Sequence, residues 1–149
     1  MEKHSYNLTL QWKEGRIGQM ASPELPTGIE VATPPEFDKG VPGIWSPEHL
    51  YTASVLSCFM TTFLAIAEYS KLEFIDFKCS AEGILEKVDG KFLMTEITLH
   101  PEVTIAEEDN TNRALRIMEK AENACLISNS IKTTVHLNAK VNLDTQVKV

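Results

Sequence analysis

The sequence predicts an α+β fold in which two helices pack against a mainly antiparallel sheet. Three observations carry that prediction. Leu50 to Ala67 runs eighteen residues without a charge, which suits a long central helix buried on every side. Ala114, Ile117, Met118, Ala121 and Cys125 recur at helical spacing and mark a second, amphipathic helix. Between them, apolar and polar residues alternate on both sides of Asp89-Gly90, the pattern of a two-stranded hairpin. The order strands, helix, hairpin, helix, strand is that of an α+β domain.

Each element has a local cause. Tyr6 to Trp12 alternates with period two, so a strand with one buried face is expected, and Glu14-Gly15 turns it into a returning strand at Arg16–Met20. Ala21 to Trp45 holds five of the seven prolines; it reads as extended pieces joined by turns, with a strand at Gly28–Ala32. Ser46-Pro47-Glu48 starts the long helix: serine caps free amides, proline suits the first helical position, and the carboxylate complements the positive helix end. Glu68 to Lys71 marks its exit. Ile75 to Glu82 alternates, and the broken pattern after Gly83 implies a bulge. Leu93, Thr95, Ile97, Leu99, Val103 and Ile105 share one face of the strand beyond Asp89-Gly90. Asp109-Asn110 caps the second helix. Val135, Leu137, Ala139, Val141 and Leu143 form the apolar face of one last strand.

With 149 residues the chain fits a single domain over 1–149. A net charge of −7 and only three arginines leave no basic footprint for a phosphate backbone, which speaks against nucleic acid. Three cysteines without a CxxC pair speak against a disulfide framework or zinc knuckle, and the four histidines have no ligand spacing, so no metal is expected. The start lacks an apolar leader, which favours a cytoplasmic protein. Leu50–Ala67 meets the membrane threshold of about 18 residues, but five serine and threonine hydroxyls lie inside it and no positive cluster flanks it, so no membrane is expected. One modest sheet hides only one side of such a helix. A second copy of the chain is the economical cover for the other side, and a homodimer is expected.

Free cysteines usually pack as small hydrophobes, and Cys79 on the apolar face of its strand keeps that reading. Cys58 and Cys125 sit within larger motifs. Ser46-Pro47-Glu48-His49-Leu50 followed by Ser57-Cys58-Phe59 resembles the first cysteine motif of the OsmC/Ohr family (osmotically inducible protein C and organic hydroperoxide resistance protein). Ala121-Glu122-Asn123-Ala124-Cys125-Leu126-Ile127-Ser128 resembles the second, with Leu126 where many members carry proline. Gly15-Arg16-Ile17-Gly18 stands where the family has an arginine in an early strand or turn, and the order of elements agrees over nearly the whole chain.

The resemblance implies an OsmC-like, intertwined homodimer and a thiol peroxidase that reduces organic hydroperoxides. It assigns Cys58 as the peroxidatic cysteine, Cys125 as the resolving one, and Arg16 with Glu48 as an activating pair. Physical chemistry agrees with those roles. A free thiol near pKa 8.5 is only a few per cent thiolate at pH 7, and burial makes it less so. Cys58 lies too deep in its helix to feel the positive terminus, so a cation from elsewhere is expected, held by a carboxylate in bidentate fashion. Glu48 and Cys58 are ten residues apart, about 15 Å along one helix. Glu48, with Arg16, is therefore expected to serve Cys58 of the partner subunit.

The expected reaction needs no bound cofactor; an external dithiol, in the family often a lipoyl group, restores both thiols. Val55, Phe59, Thr61, Thr62, Ser54 and Tyr51 around Cys58, with Ala121, Leu126 and Met118 around Cys125, are expected to line an apolar pocket. Such a pocket favours organic hydroperoxides over hydrogen peroxide by tens of fold. The alternative is an OsmC-like dimer that binds a small apolar ligand, or senses oxidants, without peroxidase turnover.

Overall fold

The computed structural model describes residues 1–146. Backbone contacts gather into two compact units, residues 1–50 and the chain from Tyr51 onward.

In the first unit β1 (Thr9–Glu14), β2 (Ile17–Ala21) and β3 (Ile29–Ala32) form an antiparallel sheet in that order. The β1–β2 turn uses Gly15 at φ +50°, a left-handed conformation that glycine adopts at no steric cost. The alternation in β1 encodes an apolar face, yet all six of its residues are exposed, Leu10 and Trp12 by about two thirds. Periodicity specifies a face fit for burial, not the surface that buries it.

The long helix, α1 (Pro47–Tyr69), starts as expected. Ser46, fully buried, accepts from the His49 backbone N–H (3.1 Å), and its own N–H donates to His49 Nδ1 (3.4 Å). This is a capping box with histidine in the place usually held by glutamate or glutamine. The helix ends at Lys71 (φ +56°), where Leu72 N–H bonds Ala67 O (2.9 Å) and Lys71 N–H bonds Glu68 O (3.1 Å); this is a Schellman close. Its length and composition suffice to cross a membrane. Within the chain its buried residues are Val55, Phe59, Phe63 and Ala67, one i, i+4 stripe, while Met60 and Leu64 are exposed.

In the second unit β4 (Asp76–Val88) and β5 (Lys91–Ile105) form the expected hairpin. Asp89 and Gly90 both have positive φ, as a type I′ turn requires, and the bulge falls between Ile84 and Leu85. A Cβ on Gly83 would meet Thr52 Oγ1 at 2.3 Å, so glycine here permits close packing against α1. Phe59 and Phe63 stack on Phe77 of β4, and Phe63 meets Phe74 edge-on. Tyr51 OH donates to Thr133 Oγ1 (2.5 Å), whose hydroxyl donates to Met94 O (2.7 Å). These bonds fix the start of α1 in this unit, two turns before Cys58.

One 3-10 turn (Glu108–Asn110) precedes α2 (Thr111–Ala124). Asn110 makes no capping bond; Thr111 Oγ1 bonds Glu108 O instead (2.8 Å). At the other unit-2 helix end, Arg113 donates to the Ser70 carbonyl, one of the groups that α1 leaves unsatisfied. The last strand is in fact two, β6 (Thr134–Leu137) and β7 (Lys140–Leu143), both parallel to β5. A helix between β5 and β6 returns the chain in the same direction, and parallel pairing follows. The break between the two strands is spanned by Asn138 N–H on Leu99 O (2.8 Å). Ile97, Leu99, Val103 and Ile105 are fully buried against Ala114, Met118 and Ala121 of α2.

Candidate functional site

The second unit brings Cys58 and Cys125 into side-chain contact. Cys58 projects half-buried from the middle of α1, with its Sγ 3.9 Å from Thr62 Oγ1 one turn on. Cys125 is fully buried just past α2, in extended conformation (φ −64°, ψ 113°), its N–H bonded to Glu122 O at 3.2 Å.

Cys125 also begins a new helical turn. Its carbonyl accepts from Asn129 N–H (3.0 Å), and Ser130 N–H bonds Ile127 O (2.9 Å). Ser130 Oγ on Leu126 O (2.7 Å) and Asn129 Nδ2 on Asn123 O (3.1 Å) brace it. The first amides of such a turn have no carbonyl partner within it. Here the N–H groups of Ile127 and Leu126 meet the Cys58 sulfur, and the N–H of Ser128 meets that of Cys125.

The two thiols are pushed apart in pKa. Burial pushes Cys58 up, but the Cys125 thiol, the Ile127 N–H, the Thr62 hydroxyl and the Leu126 N–H together outweigh it, and Cys58 lies below the ordinary thiol value. Cys125 lies above it, first through burial and then because its S–H donates to the Cys58 sulfur; Ser128, through hydroxyl and N–H, pulls the other way. The pair titrates as a unit in which the thiolate belongs to Cys58. Cys79 is separate: burial pushes it up to about 11.

Arg16 and Glu48 belong to the first unit. Arg16 lies in the β1–β2 turn, with its carbonyl accepting from Thr33 N–H (3.4 Å), and shares a cavity of about 480 Å³ with Glu14 and Lys39. Glu48 lies in the first turn of α1 and complements its positive end. Sequence reasoning missed the amides of Leu126 and Ile127. The signal for one of them was present, because proline at 126 carries no N–H and leucine does. Two expected lining residues of each thiol are elsewhere: Val55, Phe59, Met118 and Ala121 are fully buried members of the core. Leu126 is the apolar residue left exposed beside the site. No group of three metal-ligating side chains occurs among the described residues.

Comparison with known proteins agrees with this architecture. Residues 40–140 match the family model described as OsmC-like protein. The chain is 29% identical over 148 residues to the uncharacterized protein YmaD of Bacillus subtilis, covering 96% of this chain and 97% of that one. Among solved structures, an OsmC-like protein of unknown function from Vibrio cholerae superposes with a TM-score of 0.83 at 22% identity, over 92% of this chain and 99% of its own. An organic hydroperoxide resistance protein OsmC from Legionella pneumophila gives 0.76 at 24% identity, over 95% and 99%.

Proposed function

The chain belongs to the OsmC-like protein family, and from that premise we propose that it is a thiol-dependent peroxidase that reduces organic hydroperoxides. The observation that carries the reading is the contact between a thiol held below its ordinary pKa and a second thiol held above it. The Cys58 thiolate attacks the outer peroxide oxygen: an S–O bond forms, the O–O bond breaks, and the alkoxide leaves as alcohol after taking a proton. The Cys125 sulfur then attacks the sulfenic sulfur, an S–S bond forms, and water departs. An external dithiol, such as a lipoyl group, returns both thiols by exchange. Arg16 and Glu48 are assigned the activating roles by their match to the family motif. An alkyl tail gains about 0.8 kcal/mol per methylene laid on apolar surface such as Leu126, so two methylenes favour an organic hydroperoxide over hydrogen peroxide about tenfold. The test is peroxide consumption with a dithiol, comparing cumene hydroperoxide with hydrogen peroxide. Wild type consumes the organic peroxide faster and Cys58→Ser consumes neither; equal consumption by Cys58→Ser overturns the reading.

We also propose that the protein works as a homodimer. Leu10 and Trp12 on β1, and Met60 and Leu64 on α1, expose apolar surface that a second copy would bury. Sedimentation as a monomer at micromolar concentration would refute this.

A second reading has one observation in its favour. Ala53, Leu56, Met60, Phe77 and Cys79 line an apolar cavity of about 350 Å³, a size that suits a small ligand. Alkylation of Cys58 at neutral pH without peroxide consumption would favour binding or sensing over turnover.

A further inference from the structure

Beyond the two thiols, the end of α2 holds a partly buried carboxyl that the proposed reaction leaves without a task. Glu122 Oε2 and Ser128 Oγ are both buried, and neither has a hydrogen-bond partner among the described residues. Neither bonds the other, yet the Ser128 hydroxyl acts on the Glu122 carboxyl. Ser128 also reaches the Cys125 thiol, and Cys125 reaches Cys58. Glu122, Ser128, Cys125 and Cys58 thus follow one another as interacting neighbours, set by α2 and the turn that follows it. A buried polar atom without a partner costs stability, so two of them on neighbouring side chains need an explanation.

We propose that Glu122, acting through Ser128, takes the proton of Cys125 when that thiol resolves the oxidised Cys58; the inference rests on the peroxidase reading above. In the reduced protein the Cys125 S–H donates to the Cys58 thiolate. Oxidation of Cys58 to the sulfenic acid removes that acceptor. Ser128 Oγ, which acts on the same thiol, then accepts the Cys125 proton while its own proton passes to Glu122. The freed Cys125 sulfur attacks the Cys58 sulfur, the S–S bond forms and the S–O bond breaks. Cys125 is oxidised, Cys58 is reduced from sulfenic acid to disulfide, and the departing hydroxide recovers the proton from Glu122 and leaves as water.

Glu122 is a positioning residue in this scheme, since Ser128 alone touches a reacting sulfur. Burial holds its pKa above the usual carboxylate value, opposed by the Ser128 hydroxyl, and this brings a carboxylate closer to the proton it must accept. The turn Ser128–Ser130 carries no charge, Lys140 of β7 lies 3.8 Å from Glu102, and Glu108 and Asp109 stand before the opposite end of α2. The first charged residue after the turn, Lys132, is exposed. On α2 itself Arg116, Glu119 and Lys120 are exposed. Its titratable neighbours in the series are Cys125 and Cys58.

The test follows disulfide formation after rapid mixing of the reduced full-length protein with cumene hydroperoxide or, separately, hydrogen peroxide, with dimedone trapping of sulfenic acid read by mass. Glu122→Gln should form sulfenic acid at the wild-type rate and the disulfide about tenfold more slowly. The wild-type resolution rate should rise with pH through the Glu122 titration and then level off. In Glu122→Gln it should keep climbing with hydroxide towards the thiol range. Ser128→Ala should repeat that behaviour, Ser128→Thr should restore the wild-type profile, and the serine variants carry the test if Glu122→Gln does not fold. A variant that resolves at the wild-type rate, or more slowly with an unchanged pH profile, overturns the relay and leaves the peroxidase reading standing. If wild type forms no disulfide with either oxidant, both fall together.

Discussion

Cys58 and Cys79 are both half-buried thiols in the second unit, yet burial decides only one of them. At Cys79 it is opposed by a single contact, from the His100 backbone, and the thiol rises to about 11. At Cys58 four donors converge on the sulfur, and the thiol drops below its ordinary value. Desolvation acts on both in the same direction; what differs is the number of protons aimed at the sulfur. A helical turn that starts at Cys125 supplies two of them. The lowered pKa of Cys58 is therefore a property of the turn after α2 as much as of the cysteine on α1.

The widest separation of the two thiols should come in turnover. Cys58→Ser should lose peroxide consumption altogether, whereas Cys79→Ser should keep it within about twofold, because a thiol near 11 is about one part in ten thousand thiolate at pH 7. Loss of activity in Cys79→Ser, with folding intact by circular dichroism, would break the comparison.

Alkylation should separate them by a smaller factor. At pH 7 the thiolate fraction of Cys58 exceeds that of Cys79 by more than about a hundredfold, and the stronger nucleophilicity of the high-pKa thiolate returns roughly tenfold of this. Iodoacetamide, followed by peptide mass, should label Cys58 at least about ten times faster. The Cys58 rate should fall as pH drops through its lowered pKa. The Cys79 rate should still be rising near pH 11. Similar inflections for both would show that the converging donors have no effect.

The smallest effect isolates one donor. Leu126→Pro keeps a residue suited to the first position of a helical turn and removes its N–H. A hydrogen bond to a charged group contributes about 1.5 kcal/mol or more, and the stronger nucleophilicity of the higher-pKa thiolate offsets part of the loss, so alkylation of Cys58 at pH 7 should slow about fivefold, with its pH profile moved upward and Cys79 unchanged. An unchanged Cys58 profile would remove the Leu126 amide from the account.

Much of this was legible in the residues themselves. The Ser46 cap, the type I′ turn at Asp89-Gly90, the bulge after Gly83 and the apolar face of α2 are local features, each set by a few neighbouring side chains and the backbone conformations they permit. Of the site, the sequence offered the two cysteine motifs and, by resemblance, the roles of Cys58, Cys125, Arg16 and Glu48. It did not offer the depth of Val55, Phe59, Met118 and Ala121, which looked like lining and are core. Helical spacing reports which residues share a face and is silent on what that face meets.

By itself, then, the sequence determined the two helices, the Ser46 cap, the hairpin with its turn and bulge, and the membership of the two cysteines in recognisable motifs, because these depend on short-range sterics and hydrogen bonding along the chain. Only the tertiary structure decided that β6 and β7 run parallel to β5, that the amides of Leu126 and Ile127 point at Cys58, and that Glu122 and Ser128 lie buried beside Cys125. The physical reason is distance: Cys58 and the turn that serves it are nearly seventy residues apart, and the free energy that brings them together is spread over the apolar core between α1, β5 and α2 rather than written in either motif.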